Sequence, residues 1–165
     1  MAKKNNYKVY IENWAEGCNI RPLVADFITT VSTILHHDYC TLECGRFDNI
    51  YAWDADKYEQ KRHGNQSSKT VDMVLGLDYG KMLMVECKLK VQNVDNIIGE
   101  IEAKINHTRQ YIVSSNNFKS VIQPSIILFA PKNFNVLYTR FRKFNNNKTN
   151  IKPMTLDGFY KEFFE

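Results

Sequence analysis

Two apolar runs joined by a short polar segment form the most regular pattern in the chain. The runs cover residues 70–77 and 81–89 and are rich in residue types that favour β-strands. Residues 78–80 between them have the pattern of a three-residue hairpin loop, in which Gly80 would take the left-handed position. The pattern therefore predicts an antiparallel hairpin.

The loop length decides which residues of the hairpin face each other. A three-residue loop sets Asp72 opposite Glu86, and directly opposed residues have Cβ atoms roughly 4.5–5.5 Å apart. Lys88 lies two residues past Glu86, so strand alternation returns it to the same face. A two-residue loop, residues 79–80, would instead set Asp72 opposite Cys87. The first register gathers two carboxylates and an ammonium at one end of the hairpin.

Apolar residues occupy both faces of the predicted hairpin, which indicates a strand pair covered on both sides. One face carries only apolar side chains and a thiol: Val71, Met73, Leu75, Leu77, Leu83, Val85 and Cys87. The other carries Val74, Met82 and Met84, and then the three charged residues. Close carboxylates repel each other unless a cation lies between them, and Mg²⁺ takes oxygen ligands while keeping waters. The hairpin therefore predicts a divalent-metal site.

The rest of the chain gives weaker patterns, which together predict an α/β fold. Helical spacing predicts helices over residues 22–37, 93–114 and 157–164. The continuous apolar run 125–130 predicts a central buried strand. Further strands are expected over residues 133–144 and within 39–53, an extra strand or arm over 7–14, and loops over 54–69 and 145–150.

The tripeptide pattern Glu-x-Lys means little by itself, because it occurs three times, at residues 59–61, 86–88 and 102–104. The first copy lies in a polar stretch. The third lies in a helical pattern, where residues two apart point to different sides. Only the middle copy has a strand, a preceding hairpin and an opposed aspartate, and it is the copy on which a catalytic site is expected.

Asp72, followed by Glu86-Cys87-Lys88 on the next strand and then a long helix, resembles the PD-(D/E)xK nuclease superfamily. The resemblance covers roughly residues 22–131, and Val71 stands where the family name has proline. It implies the restriction-endonuclease-like fold, a mixed central sheet flanked by helices. The core order of that fold is helix, three antiparallel strands, helix, strand.

The resemblance also implies a role for each residue. Asp72, Glu86 and the backbone carbonyl of Cys87 would bind Mg²⁺ or Mn²⁺, which lowers the pKa of a bound water and stabilises charge on the phosphate. Lys88 would position or deprotonate the attacking water, or stabilise the pentavalent phosphate. Hydrolysis in this family leaves a 5′-phosphate and a 3′-hydroxyl. Some members use a glutamine or tyrosine of the second helix, which here indicates Gln110.

Many members of the superfamily add an acidic residue upstream of the hairpin. Asp26 and Glu43 are the candidates in this chain, and Glu43 is the one retained as a further metal ligand. Zinc is not expected, because His36 and His37 have no standard ligand spacing to the nearby cysteines.

Length and composition are compatible with one domain over residues 1–165. At 44% hydrophobic residues the chain can bury one good core, and no apolar run approaches the length of a membrane span. The first residues are polar and lack the apolar segment of a secretory signal. The four cysteines show no Cys-x-x-Cys spacing, so reduced thiols and a cytoplasmic location are expected.

The net charge of +4 favours an anionic partner. Basic residues gather near residues 3–4, 57–69 and 140–143, where backbone contacts to DNA are expected. We therefore expect a metal-dependent nuclease that hydrolyses DNA, in restriction, repair, recombination or a mobile element. Two alternatives stay open, an inactive nuclease-like nucleic-acid-binding or interaction protein, and a metal-free domain with a buried ion cluster. RNA as partner and a homodimer are also left open.

Overall fold

An open mixed β-sheet runs through the protein, and helices cover both of its faces. The computed structural model describes residues 7–37, 42–64, 70–77, 80–95, 97–113, 121–122, 124–145 and 150–165. The strands are β1 (Ile28–Thr30), β2 (Tyr51–Asp54), β3 (Met73–Gly76), β4 (Lys81–Lys88), β5 (Val121–Ile122), β6 (Ser125–Phe129) and β7 (Ile151–Met154). The α-helices are α1 (Tyr7–Glu16), α2 (Val31–His36), α3 (Ala55–His63), α4 (Ile97–Val113), α5 (Phe134–Asn145) and α6 (Leu156–Phe163).

The strands follow the order β1-β2-β3-β4-β6-β7, and the short β5 pairs with β4. Each neighbouring pair from β1 to β4 is antiparallel. β6 is parallel to β4 and β7 is parallel to β6, so the chain crosses over through α4 and then through α5. This arrangement confirms the predicted α/β class with a mixed sheet flanked by helices.

Alternation along the strands divides the core into two clusters, one on each face of the sheet. One cluster joins the sheet to α1, α4 and α5 and includes Trp14, Trp53, Val74, Met84, Ile101, Ile112, Ile127 and Phe141. The other joins the sheet to α2 and α6 and includes Leu35, Met73, Leu83, Val85, Leu128, Leu156 and Phe159. The two faces predicted for the hairpin match these clusters except at Val71, which lies in the cluster of Val74 rather than in that of Met73.

The predicted hairpin register is confirmed. Met73 pairs with Val85 and Gly76 with Met82, which is the register of a three-residue loop. Gly80 has a φ of 72°, the left-handed conformation expected at the third loop position. The alternative two-residue loop would shift every pair by one residue and is excluded. The other two loop residues lie outside the described part of the chain.

The helix predicted over residues 22–37 is wrong in extent. Val24–Phe27 forms a 3₁₀ helix, β1 follows, and only the six residues of α2 are α-helical. The side chain of Thr30 accepts a hydrogen bond from the Thr33 amide and caps the start of α2. The cap and the pairing of β1 with β2 override the helical spacing of the apolar residues. A second 3₁₀ helix, Leu42–Phe47, lies within residues 39–53, where a strand or a bent strand pair was predicted, and β2 is the strand found there.

Three further elements differ from the prediction. Residues 7–14 lie within a helix, α1, and residues 133–144 fall almost entirely within α5 where a strand was predicted. Part of the predicted loop 54–69 forms α3, which starts directly after β2, and residues 65–69 lie outside the described residues. The closing helix and the buried strand β6 are confirmed. In the predicted loop 145–150, residues 146–149 also lie outside the described residues.

Candidate active site

The hairpin sets Asp72 and Glu86 opposite each other where β3 begins and β4 nears its end. Leu77 donates its amide hydrogen to the Lys81 carbonyl at 2.7 Å, so this is a hydrogen-bonded pair of the antiparallel ladder. Continuing the alternation makes Asp72 and Glu86 a non-hydrogen-bonded pair, in which opposed side chains are closer. The charges of Glu86 and Lys104 both act on the Asp72 carboxyl, so the two acids lie near each other at this end of the hairpin.

Where the regular pairing of β3 with β4 ends, the side chain of Asp72 accepts a hydrogen bond from the backbone of β4. The chain bends at this residue, and Asp72 Oδ2 accepts the amide hydrogen of Cys87 at 2.6 Å. Val71, just before it, packs in the cluster under α4, so its predicted position on the face of Met73 is wrong because the bend interrupts the alternation. The hydrogen bond fixes the carboxylate beside the backbone of Cys87.

Burial and the neighbouring charge of Glu86 raise the pKa of Asp72 to about 7. The hydrogen bond from Cys87 and the positive charge of Lys104 act in the opposite direction and lower this pKa. A cation bound near both acids would offset their mutual repulsion and favour the ionised form of Asp72. Such a raised pKa is common where carboxylates serve a catalytic or metal-binding purpose.

Glu86 is almost fully buried, at 2% exposure, and two lysines meet one of its oxygens. Lys104 Nζ lies 2.7 Å from Glu86 Oε1, and Lys88 Nζ lies 3.2 Å from the same atom. Among the described residues, Glu86 Oε2 has no hydrogen-bond partner. Burial alone would lower the pKa of Lys104, but the charge of Glu86 and its hydrogen bond raise the pKa above its ordinary value.

Glu100 completes this group of charges from the first turn of α4. Its Oε1 lies 3.2 Å from Lys88 Nζ and 3.6 Å from Lys104 Nζ. Burial alone would raise the pKa of Glu100, but the two ammonium groups lower it below its ordinary value. Two acids and two lysines thus alternate across the space between β4 and α4.

A buried threonine holds α4 against the segment that leads into the site. Thr108 Oγ1 accepts the amide hydrogen of Val71 at 3.0 Å and donates to the Lys104 carbonyl at 2.7 Å. The hydroxyl therefore joins the residue before Asp72 to the helical turn that carries Lys104. Thr108 is fully buried, so these two bonds are shielded from water.

A cleft of about 270 Å³ opens beside Asp72 on the side of α2 and α3. Its polar lining consists of His37, Asp54, Asp56, Lys57, Gln60 and Asp72. Asp54 is 3% exposed, and burial raises its pKa. Its Oδ1 caps α3 by accepting the Lys57 amide hydrogen at 3.0 Å, and its Oδ2 lies 3.5 Å from His37 Nε2. The cleft gives Asp72 access to solvent-borne ligands.

The sequence did not single out Asp54 or Lys104. The sequence predicts Asp54 at the start of a loop, but it is the last residue of β2 and directly precedes α3, the position of an N-cap. Lys104 belongs to the third Glu-x-Lys copy, which the helical pattern set aside. The helix carries this lysine onto Glu86 through tertiary packing, for which the sequence holds no local indication.

Other predicted site residues lie apart from the acids. Gln110 is exposed on α4, six residues beyond Lys104 and therefore on another side of the helix. Asp26 is exposed in the 3₁₀ helix Val24–Phe27. Glu43 belongs to the 3₁₀ helix Leu42–Phe47, and its side chain lies outside the described residues. Tyr111 packs in the core, where its hydroxyl donates to Glu59 Oε2 at 2.5 Å.

The basic clusters that the sequence indicated lie mainly on helices. Lys57, Lys61 and Arg62 belong to α3, and the group 140–143 belongs to α5 rather than to a strand. Lys3, Lys4 and Lys69 lie outside the described residues. Arg62 lies over the ring of Tyr111 at 5.3 Å, so part of its surface is used in packing.

The donor set of the hairpin can be tested for its fit to a divalent ion. Within the described part of the chain, no three His, Cys, Asp or Glu side chains form a group able to hold a metal. A metal here would need the two carboxylates, a backbone oxygen and waters, which is a normal set for Mg²⁺. Alternation directs the Cys87 carbonyl toward β3, the side on which Asp72 lies. Together with the unbonded Oε2 of Glu86, these donors fit a hydrated Mg²⁺ or Mn²⁺ ion.

Comparisons with known protein families, with characterised proteins and with solved structures give no match for this chain. Among the helices of the described residues, none has the length and apolar character needed to cross a bilayer. The function must therefore be inferred from the site and from its motif.

Proposed function

We propose that this protein is a metal-dependent phosphodiesterase that hydrolyses DNA, built on a restriction-endonuclease-like fold. The observation that carries the proposal is the hairpin register, which pairs Met73 with Val85 and so brings Asp72 next to Glu86, whose charge acts on it. Lys88 Nζ lies 3.2 Å from Glu86 Oε1. The order of the elements also supports the proposal. The antiparallel strands β2, β3 and β4 are followed by α4 and then by β6, parallel to β4, as in the core of that fold.

Each side chain contributes one function to the proposed reaction. A divalent ion held by Asp72, Glu86 and the Cys87 carbonyl would lower the pKa of a water and stabilise negative charge on the phosphate. Lys88 orients the attacking water or donates to a phosphate oxygen. Its side chain is 16% exposed, so Lys88 can reach a substrate from its place on β4. The cleft beside Asp72 admits the substrate.

DNA is the proposed substrate because the net charge of +4 and the basic residues of α3 and α5 favour a polyanion. Contacts of this kind act on the phosphate backbone and carry no sequence information. RNA as a substrate and a homodimeric state remain predictions from the sequence.

One observation favours a second candidate, an inactive nuclease-like protein that binds nucleic acid. Lys88 and Lys104 together place two positive charges on the single carboxylate of Glu86, which can satisfy that buried acid without a metal. In that case the four charges would form a structural ion cluster. The two candidate functions differ in whether the protein cleaves DNA.

Cleavage of DNA tests the proposal directly. Supercoiled plasmid, linear duplex and single-stranded DNA are incubated with Mg²⁺ or Mn²⁺, with wild-type protein, with Lys88→Met and with Lys90→Met. Lys90 is the matched control, since it is an exposed lysine just past β4. We expect wild-type and Lys90→Met to cleave alike, and Lys88→Met to be slower by about 10²-fold or more. Equal cleavage by all three proteins, or none by wild-type, would refute the proposal.

A further inference from the structure

The two lysines on Glu86 differ in what else they contact. Lys104 Nζ donates a hydrogen bond to Glu86 Oε1 at 2.7 Å, whereas Lys88 Nζ donates its hydrogen bond to Glu100 Oε1 at 3.2 Å. Lys88 lies within ion-pair distance of Glu86 as well, at 3.2 Å. Glu100 is 51% exposed, and Glu86 is 2% exposed. The shorter contact therefore joins Lys104 to the buried acid, and the hydrogen bond of Lys88 goes to an acid in water.

We propose that Lys104 is the positioning residue that neutralises Glu86, and that this pairing leaves Lys88 available to the substrate phosphate. The first half of the proposal stands on the geometry of the two lysines. The second half rests on the proposed function. Glu100 is then the resting partner of Lys88, which it releases when a phosphate takes its place.

The carbonyl of Lys104 accepts a side-chain hydrogen bond that links its turn of α4 to the strand of Asp72. This carbonyl accepts the hydroxyl hydrogen of Thr108, and the same hydroxyl accepts the amide hydrogen of Val71. Val71 precedes Asp72, so the turn of α4 that carries Lys104 is tied to the strand that carries the opposed acid. This link fixes the helical turn from which the side chain of Lys104, 11% exposed, reaches Glu86.

The energetic reason for a second lysine follows from burial. Removing one partner of a buried ion pair leaves an uncompensated charge and is strongly destabilising, whereas an exposed ion pair contributes little. If Lys88 were the sole partner of Glu86, its movement to a phosphate would leave that carboxylate without a counter-charge. With Lys104 in place, Lys88 can give up its contacts with Glu86 and with the exposed Glu100 while the buried carboxylate keeps a counter-charge at 2.7 Å.

Thermal unfolding of single variants tests which lysine neutralises Glu86. We expect Lys104→Met to lower the melting temperature by about 6–12 °C, because the carboxylate stays buried without its short contact. Lys88→Met is expected to lower it by less than about 3 °C. Lys152→Met is the matched control, since its ion pair with Glu162 is exposed on both sides.

A double variant separates a lost counter-charge from a general packing defect. Glu86→Gln combined with Lys104→Met removes both charges, so most of the stability lost in Lys104→Met should return. If Lys104→Met fails to fold and the double variant folds, the proposal is likewise supported. Equal destabilisation by Lys88→Met and Lys104→Met would overturn the proposal. A double variant that does not fold, or that is no more stable than Lys104→Met, would also overturn it.

The activity of the same variants tests the second half of the proposal. In Lys104→Met the side chain of Lys88 has to neutralise Glu86, so kcat for plasmid cleavage should fall about 10-fold or more while KM changes little. Lys104→Arg should restore most of kcat, since the charge is kept. A fall in KM and kcat together, without rescue by arginine, contradicts the assignment. Inactivity of wild-type protein would refute the nuclease function and leave the unfolding comparison intact.

Discussion

Changing Asp72 to asparagine should make the protein more stable at neutral pH, although it removes a proposed metal ligand. Burial and the charge of Glu86 raise the pKa of Asp72 to about 7, so the ionised carboxylate is disfavoured in the fold. Asparagine has nearly the same shape and keeps an oxygen that can accept the Cys87 amide hydrogen. The substitution therefore removes the electrostatic cost and preserves the hydrogen bond.

The size of the effect follows from the two pKa values of Asp72. An unfolded aspartate has a pKa of about 3.9, so the folded protein holds its proton over roughly three further pH units. Between these two values the folded state binds more protons than the unfolded chain, and the stability of wild-type falls as pH rises. At about 1.4 kcal/mol for each pH unit, the loss is about 2 kcal/mol at pH 5 and about 4 kcal/mol at pH 7. The variant should gain about 2 kcal/mol over wild-type between these two pH values.

Urea denaturation with EDTA present, at pH 5 and at pH 7, measures this difference. The comparison uses wild-type, Asp72→Asn and Asp48→Asn, in which an exposed aspartate is changed as the matched control. Taking the difference between variant and wild-type at each pH removes the contributions of all other titrating groups. A difference that is the same at pH 5 and pH 7 for Asp72→Asn would refute the reasoning.

Two further predictions concern the scaffold of the site. A Cβ at Gly76 would lie 2.7 Å from the backbone nitrogen of Ile11, so Gly76→Ala should cost about 1–3 kcal/mol of unfolding free energy. Among the described residues, no side chain lies within 4 Å of a Cβ added at Gly99 on α4, so Gly99→Ala should stabilise by about 0.5–1 kcal/mol. Similar changes for the two variants in chemical denaturation would contradict the packing described. Thr108→Val leaves the buried amide of Val71 without its acceptor and should cost about 1–3 kcal/mol in the same assay, and an unchanged midpoint would show that the link is dispensable.

The hairpin and its charges were predictable because the information is local. A glycine at the third loop position favours the three-residue loop over the two-residue alternative, and the loop length fixes the register of every pair in the hairpin. The register then sets Asp72 opposite Glu86 without knowledge of the rest of the fold. The buried strand β6 was also predictable, since a continuous apolar run bounded by polar residues has few other interpretations.

The prediction of an extra strand or an arm for α1 and of a strand for α5 is wrong, although both sequences contain the helical spacing. The buried residues of α1 are Tyr7, Ile11, Trp14 and Ala15, which recur as one face of a helix does. In α5 the aromatic residues favour strands by propensity, but Leu137 and Phe141 pack against the core at helical spacing. In both segments the helical spacing of the buried residues predicts the structure better than the strand propensity of single residues does.

The partners of the hairpin acids could not be predicted, because they come from distant elements. Lys104 reaches Glu86 only because α4 crosses over β4 on its way to β6, and Thr108 fixes that helix from a buried position. Asp54 approaches the cleft because β2 pairs with β3, an adjacency that the polar segment between them conceals. Such contacts depend on how distant elements pack together, which local sequence patterns do not show.

Calorimetric titration of the metal-free protein with Mn²⁺ at pH 7 tests the central claim, that Asp72 and Glu86 together hold a divalent ion. We expect wild-type and Asp26→Asn, an exposed acid, to bind one ion per chain, and Asp72→Asn and Glu86→Gln to lose that binding. Because the pKa of Asp72 is about 7, binding should release protons, so the heat should depend on the ionisation enthalpy of the buffer. Absence of heat with wild-type, or binding by Asp72→Asn equal to that of wild-type, would contradict the account.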